Sequence, residues 1–157
     1  MKKKLDSYSE TLFHLINFRC EQYRDSKKML GIDYDSFMII SCVGSHYLRN
    51  NVPEGLNWDS VWEITRSKKI DEHYTAKKLT IFAVANVMNL PKETVRRKVE
   101  ILKKKKFVTY SSKEGLLPTD KIELAMKPFA EKELQDLSKF LQALKKHKSL
   151  DQLLNIK

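Results

Sequence analysis

The sequence contains little glycine and little proline, four of each in 157 residues. Folds built from many short strands need both residues at their turns, so the shortage argues against an all-β protein. It also argues against nucleotide-binding enzymes, because phosphate-binding loops depend on clustered glycines. The sequence shows no G-x-S-x-G nucleophile motif and no cluster of metal ligands. We therefore expect no enzyme, no cofactor and no metal.

Long apolar runs are missing as well. The sequence has no run of about 18 apolar residues, so we predict neither a transmembrane helix nor a membrane partner. The basic residues at positions 2–4 are not followed by the apolar segment of a secretory signal. Cys20 and Cys42 are isolated, which suits two free thiols in a reducing compartment. These features predict a cytoplasmic protein.

Acidic residues are nearly absent from one part of the chain. Residues 77–113 contain eleven lysines and arginines but only Glu93 and Glu100 as acids, a net charge of +9 out of +10 for the whole chain. Residues 1–76 carry eleven charges of each sign, and residues 114–157 carry eight basic and seven acidic side chains. A local excess of positive charge attracts polyanions and speeds their encounter. The basic segment therefore predicts a nucleic-acid partner.

The basic segment begins with an apolar pattern that predicts a short helix over residues 81–88. Its inner face would carry Phe82, Ala85 and either Val84 or Met88. Leu90 would fill the turn that follows, and Pro91 suits the first positions of a new helix, where a missing N–H costs little. The pattern indicates two helices joined by a tight turn.

A second helix is predicted over residues 92–106. Val95, Val99 and Leu102 recur at steps of four and three, which indicates one buried stripe. At about 100° per residue, the side chains opposite that stripe are Glu93, Arg97, Glu100 and Lys104, flanked near the N-terminal end by Lys92, Thr94 and Arg96. Bases in the major groove are usually read from the N-terminal end of such a helix.

Arg97 is the first candidate for a base contact, because arginine can pair bidentately with guanine O6 and N7. Thr94 would touch a thymine methyl group or a phosphate. Glu93 would accept a hydrogen bond from cytosine N4 or complement the dipole at the helix N-terminus. The side chains expected on phosphates, which position a protein without reading sequence, are Lys92, Arg96 and the run 103–106 that includes Lys103 and Lys104.

Two short strands are predicted after this helix, over residues 107–111 and 116–120. The first is rich in aromatic and β-branched side chains, and the intervening residues suit a β-hairpin turn. Gly115 fits a turn position that needs a positive φ. Lys113, at the tip, is expected to contact the minor groove or the DNA backbone.

Residues 79–120 resemble the winged helix-turn-helix of bacterial transcriptional regulators, broadly of the MarR and GntR type. The segment NLPKETVRRKVEIL is similar to their turn and recognition helix. The segment KKKKFV resembles the start of their first wing strand, although many members have glycine where Lys106 stands. The resemblance implies sequence-specific binding of double-stranded DNA by a transcriptional regulator, with residues 92–106 in the major groove and residues 107–120 as the wing.

The remaining sequence predicts helices around this unit, so the expected fold is mainly α. Apolar periodicity indicates helices over residues 6–29, from Asp33 or Asp35 to about 49, 57–68 and 125–146. We divide the chain into an N-terminal helical region (1–76), a winged helix-turn-helix unit (77–122) and a C-terminal helix (123–157). In a MarR-like arrangement the first and last parts would build a homodimer, which lets the protein read two half-sites.

Several alternatives stay open at this level. Winged helices also bind proteins, so the basic face would instead fit an acidic protein partner. Phe37, Tyr47, Trp58 and Trp62 would line a pocket for a small-molecule effector or pack in the core. The C-terminal apolar stripe would form a dimer contact or an intramolecular one. Cys42 and His46 have a spacing that can chelate a metal, but two ligands do not make a site and packing is the favoured interpretation.

Overall fold

A computed structural model of the chain describes residues 6–51 and 78–156. In this part the protein is mainly helical and has one two-stranded antiparallel sheet, as the sequence predicts. The elements are α1 (Ser7–Leu30), α2 (Tyr34–Asn51), α3 (Ile81–Met88), α4 (Lys92–Lys104), β1 (Val108–Ser111), β2 (Gly115–Pro118), α5 (Asp120–Lys146) and α6 (Leu150–Leu154). The predicted helix at 57–68 lies outside the described residues. None of the helices described could cross a membrane, as none combines the length with the apolar character required.

The chain forms two compact units. The central unit comprises the described residues of Ile32–Lys127, and the terminal unit those of Met1–Gly31 and Pro128–Lys157. This grouping differs from the predicted division at residues 76 and 122. The helix α2 belongs with the basic segment, and α5 contributes residues to both units.

The core of the central unit forms around α4. Val95, Val99 and Leu102 are completely buried, which confirms the predicted apolar stripe. The helix α3 buries Ile81, Val84 and Ala85. Phe82 was predicted on that inner face, and this is wrong, because its side chain is 60% exposed. Ile81 takes the inner position since it precedes Val84 and Ala85 by three and four residues, the spacing that places helical side chains on one face.

The turn between α3 and α4 is fixed by its backbone. Asn89 ends α3 in the left-handed region, with a φ of 51° that asparagine tolerates well. The N–H of Leu90 then donates to the carbonyl of Ala85 at 3.0 Å. Pro91 stands directly before α4, and its carbonyl accepts a hydrogen bond from the N–H of Val95. The two helices are therefore joined by a turn of only three residues, 89–91.

The hairpin that follows α4 pairs Val108 with Pro118 and Ser111 with Gly115. Its strands are shorter than predicted. The second strand ends at Pro118 because α5 begins at Asp120, although one more cross-strand hydrogen bond joins the N–H of Thr119 to the carbonyl of Phe107. Lys106, between α4 and β1, has a φ of 60°, in the region that favours glycine.

Gly115 is required by the fold for two reasons. Its φ is 81°, and an added Cβ would lie 2.5 Å from the carbonyl oxygen of Leu79. The same oxygen accepts a hydrogen bond of 2.8 Å from the N–H of Leu116. The residue that precedes α3 by two positions is therefore pressed against the start of β2, so the hairpin and α3 are held together.

The terminal unit pairs α1 with the C-terminal part of α5, and the two helices run antiparallel. Contacts along their length include Phe18 with Phe140 and Gln22 with Glu133. Beyond the end of α5, Ser7 of α1 also contacts Gln152 of α6. The helix α1 matches the predicted 6–29 closely: Asp6 caps it and Gly31 ends it at a φ of 63°. The helix α5 begins five residues before the predicted 125 and contains Pro128.

A charged network reinforces this pairing. Asp25 of α1 and Asp136 of α5 are both buried, and the Lys132 ammonium contacts both carboxylates, that of Asp25 at 2.6 Å. Burial by itself would raise the pKa of Asp136, but hydrogen bonds from Lys132 and Lys139 outweigh it and lower that pKa. Two buried carboxylates are thus compensated by one lysine between the helices and one at the surface.

Two glycine substitutions test the account of the hairpin. Gly115→Ala should lower the free energy of unfolding by about 2 kcal/mol or more, because the new methyl group meets the Leu79 carbonyl and the backbone keeps a positive φ. Gly44→Ala, inside α2, should raise it by about 0.5–1 kcal/mol, because the added Cβ meets nothing within 4 Å and alanine favours helices. Urea denaturation followed by circular dichroism measures both. Equal effects of the two changes would contradict the account.

Candidate nucleic-acid interface

The helix α4 presents its charged side outward while its apolar side is buried. Of the eight side chains predicted to touch DNA, six are exposed: Lys92, Glu93, Arg96, Arg97, Lys104 and Lys113. Thr94 and Lys103 are half-buried at the edge of the exposed face. We call the seven of them that lie on α4, from Lys92 to Lys104, the α4 face.

The basic side chains of the α4 face differ in how they are paired. Among the described residues, Arg97, Lys92 and Lys104 form no hydrogen bond or ion pair. Arg96 lies 3.6 Å from Glu93, and Lys103 lies 2.9 Å from Glu100. Exposed pairs at this spacing contribute less than about 0.5 kcal/mol. An incoming phosphate can therefore replace either carboxylate at small cost.

Lys98 has a different role, although sequence analysis counts it in the basic segment. Its side chain is only 13% exposed, and its ammonium contacts Asp33 at 2.9 Å and Asp35 at 3.4 Å. Both acids stand at the start of α2, where Asp33 also accepts the N–H of Ser36 at 2.9 Å. Asp33 is thus the N-cap that the sequence left undecided between two aspartates. Lys98 therefore links α4 to α2, and its charge does not belong to the α4 face.

The pKa values of this pair follow from its geometry. Burial would raise the pKa of Asp33, but the hydrogen bond from Lys98 and those from Ser36 outweigh it, and the pKa lies below its usual value of 3.8. Burial would lower the pKa of Lys98, yet its hydrogen bonds to Asp33 and Asp35 raise it. Both groups therefore stay charged over the physiological range.

The hairpin carries a second basic site. Lys113 is exposed in the turn between β1 and β2 and has no hydrogen bond or ion pair to any described residue. Lys78 reaches this turn from the other end of the basic segment, and its ammonium donates to the carbonyl of Ser112 at 2.7 Å. Sequence reasoning missed Lys78, because 34 residues separate the two partners and no periodicity connects them.

Lys121 is a further basic residue that sequence reasoning missed. Its ammonium donates to the carbonyl of Lys105 at 2.9 Å and lies 5.5 Å from the centre of the Phe107 ring. The exposed Lys121 therefore adds a positive charge beside the C-terminal end of α4. Only the hairpin, which folds α5 back toward that end, brings the two lysines together.

The other predicted sites separate into core residues and residues not described. Phe37 and Tyr47 are buried in α2, whereas Trp58 and Trp62 lie outside the described residues. Burial raises the pKa of Tyr47 to about 12, and the charges of Glu123 and Asp120 add to this effect. Cys42 is a half-buried free thiol, and burial raises its pKa as well. The Cys42–His46 pair gains no third metal ligand among the residues described.

Comparisons of the chain with protein-family models, with curated proteins and with solved structures find no match. In the described part of the chain, α4 and the hairpin turn offer exposed cations without an ion pair: Lys92, Arg97 and Lys104 on the helix and Lys113 in the turn. Such a surface can bind a polyanion with a groove wide enough for a helix.

The Lys98 contact predicts a stability effect that depends on pH. Lys98→Met should lower the free energy of unfolding by about 0.5 kcal/mol at pH 7, because Asp33 and Asp35 are more than half exposed and solvent screens the pair. A carboxylate whose pKa is lowered by folding stabilises above its unfolded pKa and ceases to do so as the pH falls. The loss should therefore begin to shrink near the usual aspartate pKa of 3.8 and vanish only as the pH falls through the lower pKa that Asp33 has in the folded protein.

Urea denaturation between pH 7 and pH 3 measures this difference. Lys104→Met is the control, because that lysine contacts no acid in the described part of the chain and should leave stability unchanged at every pH. A loss for Lys98→Met that stays constant down to pH 3 would show that the lysine acts through packing alone.

Proposed function

We propose that the protein is a sequence-specific transcriptional regulator that binds double-stranded DNA with a winged helix-turn-helix, broadly of the MarR and GntR type. In this proposal α3 and α4 are the helix-turn-helix, α4 lies in the major groove, and the β1–β2 hairpin is the wing. The observation that supports this proposal most strongly is the orientation of α4. Its apolar stripe is completely buried, so Arg97 and Lys104, which pair with none of the described residues, face outward.

Arg97 is the base-reading residue of the proposal. It is exposed, it has no partner among the described residues, and it lies in the first half of α4. A free guanidinium can approach guanine O6 and N7 without first giving up an intramolecular ion pair. Thr94 and Glu93, one turn earlier, would touch the neighbouring base pair or the adjacent phosphate.

The lysines around Arg97 are assigned to phosphates. Within the part of the chain that the structure describes, Lys92 and Lys104 of α4 have no partner, and Lys113 is exposed in the hairpin turn. Arg96 and Lys103 hold only weak surface ion pairs, so they can exchange Glu93 and Glu100 for phosphate oxygens. Phosphate contacts of this kind set affinity and salt dependence and carry no base preference.

Two substitutions separate base reading from phosphate binding. Arg97→Ala should remove the preference at one base pair, worth about 1–3 kcal/mol of discrimination. Lys104→Ala should weaken all sequences equally and reduce the slope of log K against log salt by about 1. Selection from random duplexes, followed by fluorescence anisotropy at several salt concentrations, measures both effects.

Two outcomes would count against this assignment. If the two variants behave identically, α4 does not divide its contacts as proposed. If the wild type enriches no motif and loses all binding at about 0.2 M salt, the attraction is electrostatic and non-specific. Glu114→Gln serves as the control, because it changes charge in the hairpin turn at a residue that we assign no DNA contact.

The proposal includes a homodimer, formed through the terminal unit. The terminal unit leaves large apolar side chains exposed: Tyr8, Leu12, Ile16 and Tyr23 on α1, and Leu134, Leu137 and Leu141 on α5. The leucines of α5 line a groove of about 380 Å³ with Leu150. Exposed apolar side chains that line a groove suit an interface, and a dimer lets two recognition helices read two half-sites.

Substitutions that place negative charge in this groove test whether the protein forms a homodimer. Leu137→Glu combined with Leu141→Glu should change the species in solution from about twice 18.5 kDa to 18.5 kDa, because two carboxylates would be buried in the contact. Leu124→Glu is the control, since Leu124 is a more exposed leucine of the same helix. Sedimentation velocity gives the masses. A monomeric wild type at 50 μM, or equal disruption by Leu124→Glu, would contradict a dimer at this face.

A protein-interaction module that binds an acidic partner is the second candidate function. Phe82 and Val87 favour it, because both are large apolar side chains exposed on α3, and protein interfaces place such groups at their centre. Phe82→Ser distinguishes the two candidates. It should leave duplex affinity unchanged under the DNA proposal and abolish binding to the acidic partner under the alternative.

A further inference from the structure

The terminal unit brings together three metal-ligating side chains that are far apart in the sequence. Glu10 and His14 lie one turn apart on α1, and His147 directly follows the end of α5. Glu10 Oε2 lies 3.4 Å from His14 Nε2 and 3.6 Å from His147 Nε2. The two imidazole centres are 5.6 Å apart. Sequence analysis found no metal site, because 133 residues separate His14 from His147.

These distances match the edges of a tetrahedral site. Ligand atoms that each lie about 2.0–2.1 Å from one Zn²⁺ ion are about 3.3–3.4 Å from each other in a tetrahedron. Both Glu–His distances are close to this value, and all three ligand atoms lie within 4.8 Å of one another. The third edge, between the two imidazole nitrogens, is at most 4.8 Å long, so a side-chain adjustment of up to about 1.4 Å would complete the tetrahedral site.

The surroundings suit a bound ion. The exposed fractions of the three side chains are 19% for Glu10, 26% for His14 and 32% for His147, so the cluster is partly shielded and remains open on one side. The Phe13 ring packs edge-on against the His14 ring at 5.3 Å. A carboxylate and two neutral imidazoles together carry one negative charge. This donor set is preferred by Zn²⁺ and disfavoured by Mg²⁺ and Ca²⁺, which bind oxygen ligands.

We propose that Glu10, His14 and His147 bind a divalent transition-metal ion, Zn²⁺ by its chemistry, with water at the fourth position. The ion would join the first turns of α1 to the end of α5 and hold the terminal unit closed at that end. The hydrogen bond between Ser7 and Gln152 is the only other polar contact at that end among the described residues. The inference is independent of DNA binding, because all three ligands lie in the terminal unit.

The test is a Zn²⁺ titration of the full chain at pH 7.4 in competition with a chromophoric chelator. One ion per chain should bind. His14→Gln and His147→Gln should each weaken the affinity by about 10-fold or more. His46→Gln is the matched control, since His46 belongs to the central unit and should leave the affinity unchanged. Mg²⁺ at millimolar concentration should not compete.

Two further readouts separate a true site from other binding. Zn²⁺ should raise the thermal midpoint of the wild type by several degrees and that of His147→Gln by clearly less at the same Zn²⁺ concentration. Co²⁺ should give the visible spectrum of a tetrahedral nitrogen and oxygen site, and no thiolate charge-transfer band from Cys20 or Cys42.

Opposite results would overturn the proposal. If the wild type binds no Zn²⁺, the cluster is a set of histidine–glutamate ion pairs. If both histidine variants retain the wild-type affinity, or the Co²⁺ spectrum shows thiolate ligation, the ion binds elsewhere. The circular dichroism spectrum of each variant without metal checks that the chain is folded.

Discussion

The packing of three side chains on α4 decides what the central unit can do. Val95, Val99 and Leu102 are completely buried, and burying each apolar side chain stabilises the fold by about 1.5–3 kcal/mol. Any rotation of α4 about its own axis would expose these apolar side chains and lose that energy, so the rotation of the helix is fixed. Every charged side chain of the helix then has a determined direction, and Arg97 and Lys104 face solvent.

Among the described residues, few basic side chains of α4 form contacts with other parts of the molecule. Lys98 is the one basic residue of α4 committed to a tertiary contact among the described residues, with Asp33 and Asp35. The pairs Arg96–Glu93 and Lys103–Glu100 lie within the helix and are weak. Most of the positive charge of the basic segment therefore remains available to a partner. The hairpin adds Lys113 and is positioned by the close contact of Gly115 with Leu79.

Sequence periodicity was enough to predict the elements that depend on local pattern. The stripe of α4, the short helix α3 and the hairpin around Gly115 follow from spacing and turn chemistry alone. The predicted inner face of a helix was wrong where two sets of apolar side chains with helical spacing were possible. The inner face of α3 was placed on Phe82, although Ile81 has the better spacing to Val84. The predicted start of α5 at residue 125 is five residues late, because the helix begins at Asp120 directly after the hairpin and contains Pro128.

Contacts between distant residues could not be predicted from the sequence. No local pattern connects Lys98 with Asp33, Lys78 with Ser112, or His14 with His147, since each depends on how helices pack. The sequence also did not predict the positive φ at Lys106, because lysine rarely adopts that backbone conformation. Such contacts decide which charges are free and which are used inside the molecule. They therefore determine the candidate sites, whereas the pattern alone determines the helices.

The central claim is that the α4 face and the hairpin turn meet double-stranded DNA. Backbone amide NMR spectra of the full chain, recorded during titration with a selected duplex at about 0.15 M salt, test this directly. We expect the largest shift changes in residues 92–104 and 112–115, with small changes in the terminal unit. Changes confined to α1 and α5, or no changes at that salt concentration, would contradict the account.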